Sequence, residues 1–257
     1  MAVEPHRPLT VPNDKLYIHE FIDVIGHNRA RYMHHMTANW VPVALEERNQ
    51  RCYGVWATVG STGRWPEVVN MWELDGWDGM VHNFEVEFAA GRSQDPSLAA
   101  WWSVAASLRR GGIDRLVAPA PWTDPVDDLL AAGTRGELYA HELVKVRPGG
   151  ASDFLDSVHD LGRPAVEAAG ATLVGAFRTL MTLDDECILL WALPSWPAWA
   201  HYEQAWSEGG ELDIWRREVL AAAVSLDRQL LVDAPLAPLR IGRQPSVDDR
   251  RPLDEIP

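Results

Sequence analysis

Two short runs, "LYIHE" at 16–20 and "LYAHE" at 138–142, set Tyr, His and Glu at one spacing twice in the same chain. Alternate side chains of a strand share a face, so Tyr17, His19 and Phe21 fall on one side of the first run, and Tyr139, His141 and Leu143 on the same side of the second. A His exchanges protons near neutral pH, and a Tyr hydroxyl on the same face can donate to an oxyanion as it forms. His19, His141, Tyr17 and Tyr139 are therefore the candidate catalytic groups. The competing reading is that duplication copied two hydrogen-bonded fillers of a sheet interface. Glu20 and Glu142 fall on the opposite, aliphatic face beside Ile18 and Val144, where a free carboxylate is costly. They are secondary candidates, expected to pair with an arginine such as Arg31 or Arg178.

Other residues could complete a pocket. Trp56, Asn70 and Trp72 on the first hairpin, Trp191 on the second, and Phe21 are candidates for binding an apolar substrate, against the alternative that they are core. His34 and His35 are adjacent on a helical pattern and point about 100° apart, a poor geometry for one metal, so a solvated helix face and no metal are expected. His159 and His201 would be the axial ligands if the chain held haem, but no Cys-x-x-Cys-His signature is present and no cofactor is expected. Cys52 and Cys187 lie in apolar strand-like runs and read as buried free thiols.

The elements that must hold these groups repeat. Leu16, Tyr17, His19 and Glu20 recur 122 positions later, Pro42 recurs as Pro164 at the same offset, and Trp72 and Trp77 recur as Trp191 and Trp196 at 119. Each copy reads strand, helix, strand, strand, helix, strand: in the second, "ELYAHELVKV", "ASDFLDSVHDLGRPAVEAAG", the hairpin "ATLVGAFRTLM" and "ECILLWAL", the helices "SWPAWAHYEQAW" and "LDIWRREVLAAAVSL", and "DRQLLVDA". The first copy ends on a matching "DRLVAPA". The expected division is an N-terminal extension at 1–14, a repeat at 15–120, a linker at 121–135 rich in Pro, Gly and Asp, a second repeat at 136–234, and an extended or disordered tail at 235–257.

That βαββαβ order is the α+β, ferredoxin-like unit, a sheet with helices on one face. Two such units cover their bare faces by packing sheet to sheet, so two tandem ferredoxin-like repeats forming one intramolecular pseudo-dimeric α/β barrel are predicted. The segment "PEVVNMWELDGWDGMVHNFE" resembles the strand-to-helix stretch of NIPSNAP-type proteins in the dimeric α/β-barrel superfamily, and "LYAHELVKVRPGG" resembles their opening strand and turn. Trp191-Ala192 stands where the first copy has Trp72-Glu73, so the two copies are not equivalent. The resemblance implies the fold, and its superfamily includes cofactor-free monooxygenases, cyclases, haem enzymes and proteins without a known reaction.

Composition narrows partners. With 37 acidic against 23 basic residues the formal net charge is −14, which argues against nucleic acid or an anionic membrane. No run of 18 apolar residues and no signal core is present, so a cytoplasmic protein is expected, one that could assemble as a homo-oligomer of barrels. The leading functional expectation is a cofactor-independent enzyme with an apolar, Trp-lined pocket between the repeats, using His acid/base chemistry on a hydrophobic or aromatic small molecule as isomerase, cyclase, lyase or monooxygenase. A non-catalytic ligand-binding or scaffold protein, and a haem or metal enzyme, are the alternatives.

Overall fold

The structure is a computed structural model that describes residues 12–91, 94–207, 209–210 and 212–257. Most of the expected 1–14 extension lies outside the described residues. Eight strands close into one antiparallel barrel in the order β1-β3-β2-β8-β5-β7-β6-β4. They are β1 (Leu16–Val24), β2 (Arg51–Thr58), β3 (Glu67–Leu74), β4 (Arg109–Pro119), β5 (Leu138–Val146), β6 (Thr172–Thr179), β7 (Glu186–Leu193) and β8 (Ala223–Asp233). The α+β prediction therefore holds. The first four strands lie in the order β4-β1-β3-β2 and the last four as β8-β5-β7-β6, so the two halves share one connectivity. They meet along short seams, β2 with β8 over Trp56–Thr58 and β4 with β6 over Val117–Pro119. The halves thus join edge to edge into a closed wall, which removes the unpaired edges that two stacked sheets would have kept.

The helices stand outside the barrel. Those of the first half are α1 (Arg29–His34), α2 (Val41–Arg48), α3 (Gly76–Phe88) and α4 (Pro96–Ala105), with a π-helical turn at His35–Trp40 between α1 and α2. After α5 (Val126–Ala132) the second half adds α6 (Ala151–Ser157), α7 (Arg163–Ala168), α8 (Trp196–Ala205) and α9 (Asp213–Ala222), again with a π turn, Val158–Gly162, between α6 and α7. Alternation along each strand then makes three cores: one between each half's outer sheet face and its helices, and one inside the barrel around Tyr17, Tyr53, Trp56, Tyr139 and Phe177. A bulge precedes Gly54 in β2 and another precedes Gly175 in β6. A Cβ on Gly54 would lie 1.9 Å from the Trp56 ring, and one on Gly175 2.5 Å from the Phe177 ring, so glycine is what lets each aromatic fold into the barrel.

Two segments differ from their sequence readings. The 121–135 linker contains α5, whose Val126 and Leu129 are buried in the barrel core, with the Val126 N–H donating to Glu73 Oε2 at 2.8 Å. The 235–257 tail, expected to be extended or disordered, forms α10 (Pro238–Ile241) and two 3₁₀ turns. Leu239 of α10 joins Leu129 in closing that end of the barrel. Gln244 accepts from the Cys52 N–H at 3.0 Å and donates to the Cys52 carbonyl at 2.8 Å, satisfying backbone groups that the β2 bulge leaves open. Composition signals a break in regular pattern, and a few well-placed apolar and amide side chains are enough to order such a segment.

Candidate functional site

The two duplicated runs hold their expected faces. Tyr17, His19 and Phe21 point into the barrel, and Glu20 points to the helices. Inside, His19 and His141 meet with their Nε2 atoms 2.9 Å apart, only 1% and 2% exposed. Burial pushes both imidazoles below the usual histidine range, His141 to about 4 with Arg115 adding to it, and His19 well below with His141 and then Arg115 adding to it, so the pair is neutral at pH 7. The Tyr hydroxyls are engaged elsewhere: Tyr17 donates to Glu73 Oε2 and Tyr139 to Asp233 Oδ2, each at 2.9 Å, on the side that α5 and α10 close. Trp56 fills the barrel, and Phe21 stands above the histidines at 4.8 Å from the His19 ring centroid.

Asn70, Trp72 and Trp191 do not share a pocket with the histidines. They lie on the outer, helix-facing side, because their strand parity is that of the two glutamates. In the first half this outer face carries a cavity of about 380 Å³, floored by Glu20, Trp72 and Asp114 and walled by Trp40, Trp101, Trp102, Met80 and Phe88 from the helices and their π turn. Asn70 Nδ2 at 2.8 Å and Trp72 Nε1 at 3.0 Å both donate to Glu20 Oε2. Glu20 pairs across the β1–β4 ladder with Asp114. Desolvation raises both carboxyls above their ordinary range, although Glu20 is half-buried and Asp114 exposed; facing Asp114 adds to the rise of Glu20, while the hydrogen bonds from Trp72 and Asn70, and then Arg109, pull the other way. Arg109 is buried over the Trp102 ring, 4.8 Å from its centroid, and its side chain reaches the Tyr32 hydroxyl.

The second half shows the same strand position put to another use. Glu142 is 1% exposed and pairs with Arg228 at 2.7 Å, receives Trp191 Nε1 at 3.2 Å and Tyr202 Oη at 3.3 Å, and Arg228 stacks over Trp206 at 4.3 Å. Neither expected arginine serves the glutamates: Arg31 donates to the Ile256 carbonyl and Arg178 pairs with Asp184. The physical reason is distance along the fold, since both lie off the β1–β4 and β5–β8 ladders on which the glutamates sit.

Asp114, Arg109 and the Trp40, Trp101 and Trp102 walls were not singled out from sequence. The available signal was the duplicated Asp-Arg dipeptide, Asp114-Arg115 and Asp227-Arg228, and it misleads by one residue. Glu20 faces Asp114, whereas Glu142 faces Arg228. A one-residue slip sends the arginine of the first copy into the barrel and that of the second onto the outer face.

The helical histidines also depart from expectation. His34 and His35 are buried, not solvated: His34 Nε2 accepts from the Arg251 N–H at 3.2 Å and His35 stacks flat on Trp101. The tail and α4 cover a face whose sequence pattern reads as open. His159 pairs with Asp160 at the surface, and His201 is exposed on α8. Cys52 and Cys187 are buried free thiols. Among the described residues no helix is long and apolar enough to cross a membrane.

No protein-family model matches the chain, and no curated protein matches it in sequence. Solved structures share its fold. An anthrone oxidase-like protein aligns over 86% of this chain and 92% of its own with 11% identity and a TM-score of 0.57. A candidate monooxygenase from Fusobacterium nucleatum aligns over 88% and 94% with 9% identity and a TM-score of 0.56. The neighbours also include an uncharacterized NIPSNAP domain protein from Burkholderia xenovorans, at 17% identity over 38% of this chain and 95% of its own, with a TM-score of 0.34. The dimeric α/β-barrel architecture expected from sequence is the fold that the two longer alignments share with this chain.

Proposed function

We propose that the protein is a cofactor-independent small-molecule enzyme whose site is the Trp-walled cavity of the first half, with Glu20 as the proton-transferring group and a hydrophobic, chiefly aromatic substrate. The observation that carries this is the Glu20–Asp114 pair: a half-buried and an exposed carboxyl paired across the β1–β4 ladder at the floor of the Trp-walled cavity, both with raised proton affinity. Like-charged neighbours cannot both ionise cheaply, so the pair holds a proton more tightly than free carboxyls do, which moves it in the direction a general acid/base needs. Trp72 and Asn70 fix one oxygen of Glu20 and leave the other for substrate. A substrate C–H or O–H made acidic by a neighbouring carbonyl gives its proton to Glu20, and Arg109 supplies the positive charge that favours the resulting oxyanion. Return of the proton to another atom completes an isomerisation, cyclisation or elimination. Oxygenation of the anion by dioxygen belongs in the same set, because fold neighbours carry monooxygenase and anthrone oxidase names.

The proton-transfer role thereby passes from the histidines, which are neutral and occupied with each other, to the glutamate behind them on the same strand. We further read the halves, 15–120 and 136–234, as tandem repeats forming a pseudo-dimer in one chain, of which one kept an open cavity and the other closed it. Screening phenolic and quinonoid polycycles for saturable quenching of Trp fluorescence, then for turnover, provides the assay. Glu20→Gln should then lower kcat by roughly 10²-fold with little change in melting temperature. An unchanged kcat would overturn the role of Glu20 and leave a binding protein.

A further inference from the structure

A second void lies on the other side of the same wall. Where α5 and α10 close one end of the barrel, the opposite end opens into a cavity of about 500 Å³, with Phe21, Ile113 and Leu143 as apolar walls and Arg115, His141 and Gln229 towards its floor. The β1–β4 sheet lies between it and the Glu20 cavity, with Arg115 lining both, since Asp114 and Arg115 alternate faces on consecutive positions of one strand. The loop between β2 and β3 crosses the opening. Its Thr62 Oγ1 accepts the Leu230 N–H at 3.0 Å, and a Cβ on Gly63 would stand 3.0 Å from the Gln229 Cβ and 3.2 Å from the Thr58 methyl, so the loop lies close over β8.

Three observations describe what the cavity would take. Buried beside it, Arg115 Nη1 has no hydrogen-bond partner among the described residues, and an unpaired buried donor is costly enough that native folds rarely keep one idle, whereas the Gln229 amide is engaged by Glu67. The three arginines of the lining are already matched, Arg115 by Glu186 at 2.6 Å, Arg64 by Asp23 and Arg228 by Glu142 and Glu203, and Glu67 and Asp227 add acid to it, so a second anion is not called for. Ile113 is 55% exposed at the rim, an apolar side chain facing water in a barrel whose other interior aliphatics are covered. The missing occupant is thus an acceptor without formal charge on an apolar body.

We propose that the open barrel end is a second ligand site, for a neutral small molecule that presents one carbonyl oxygen to Arg115 Nη1 and packs its hydrocarbon part against Phe21, Ile113 and Leu143. The neutral His19–His141 pair below forms an uncharged floor, and the site is independent of the chemistry proposed for Glu20.

The test uses three probes of one shape on the full chain: 4-phenyl-2-butanone, its anionic counterpart 3-phenylpropionate, and butylbenzene, which lacks the acceptor. Binding is read from the His141 ring resonances by NMR. The ketone is expected to shift them saturably and to bind at least five-fold tighter than either of the others, because each lacks the neutral acceptor. Leu143→Trp, which fills the cavity, should weaken the ketone ten-fold or more, and Ile113→Asp at the exposed rim about five-fold. Should Leu143→Trp fail to fold, the rim variant serves in its place. A ketone that leaves the His141 ring unshifted up to its solubility limit, or binds equally well to the wild type and the rim variant, overturns the site. Tighter binding of the carboxylate or of butylbenzene overturns the assigned ligand class.

Discussion

Glu20 and Glu142 occupy the same place in two copies of one strand, and their surroundings could hardly differ more. Glu142 is sealed by a guanidinium, an indole and a phenol, with Arg228 itself sandwiched against Trp206. Glu20 shares its cross-strand position with another carboxylate and opens on a cavity. A buried acid matched by a buried base is a structural part, whereas a half-buried acid that faces an exposed second acid is left available to a ligand. The difference traces to one residue of register between the last strands of the two halves.

The largest effect should come from breaking the sealed side. Arg228→Met leaves Glu142 buried without its counter-charge and should cost about 3–5 kcal/mol, read as a fall in the denaturation midpoint, while Glu20→Gln should cost less than about 1 kcal/mol or stabilise. Equal losses would mean the two glutamates play the same structural role. Next in size is an attempt to make the first half resemble the second. Asp114→Arg places a counter-charge opposite Glu20 and should raise stability by about 1 kcal/mol while abolishing fluorescence-detected ligand binding in the first cavity. Retained binding would separate the cavity from the carboxyl pair.

The third contrast is in pH. Glu20 and Asp114 bind protons more tightly folded than unfolded, so the folded state carries the extra protons between the unfolded carboxyl range and their raised folded values. Their contribution to stability is full below the unfolded range and is lost as pH rises through that window. The melting temperature of Glu20→Gln relative to wild type should therefore increase from pH 4 to pH 7, and a flat difference would show that Glu20 titrates normally. The smallest effect belongs to the symmetric pair. His19→Gln and His141→Gln each break the same Nε2–Nε2 contact and should cost a similar, modest amount, about 1 kcal/mol, with the double variant losing less than the sum. Unequal costs would show that the two rings are not interchangeable. For His141 the lowered proton affinity has the opposite sign to that of Glu20: stability from this group is present above pH 6.5 and is lost as pH falls towards about 4.

Much of this was legible from the chain. Period-two alternation put Tyr17 and His19 on one face and Glu20 on the other, and the 122-residue offset announced two copies of a βαββαβ unit. Alternation is local, fixed by backbone geometry, so sequence carries it faithfully. The hairpin was harder: Trp56 and Trp72 looked alike as strand tryptophans, but the bulge before Gly54 sets Trp56 inward while Trp72 faces outward with Glu20. The helix histidines and the tail were misjudged because what buries them comes from elements distant in sequence, Trp101 and Arg251.

By itself, then, the sequence determined which residues share a face, how often the unit recurs, and that a histidine and a glutamate sit back to back on each opening strand. Tertiary structure decided which acid meets which base. Pairing across a ladder depends on register between strands some 90 residues apart, and a shift of one position inverts every side chain. The repeated Asp-Arg dipeptide is identical in both copies, yet one places an aspartate and the other an arginine opposite the glutamate. That single choice, set by how each last strand slides along its partner, leaves a cavity in one half and a sealed ion pair in the other.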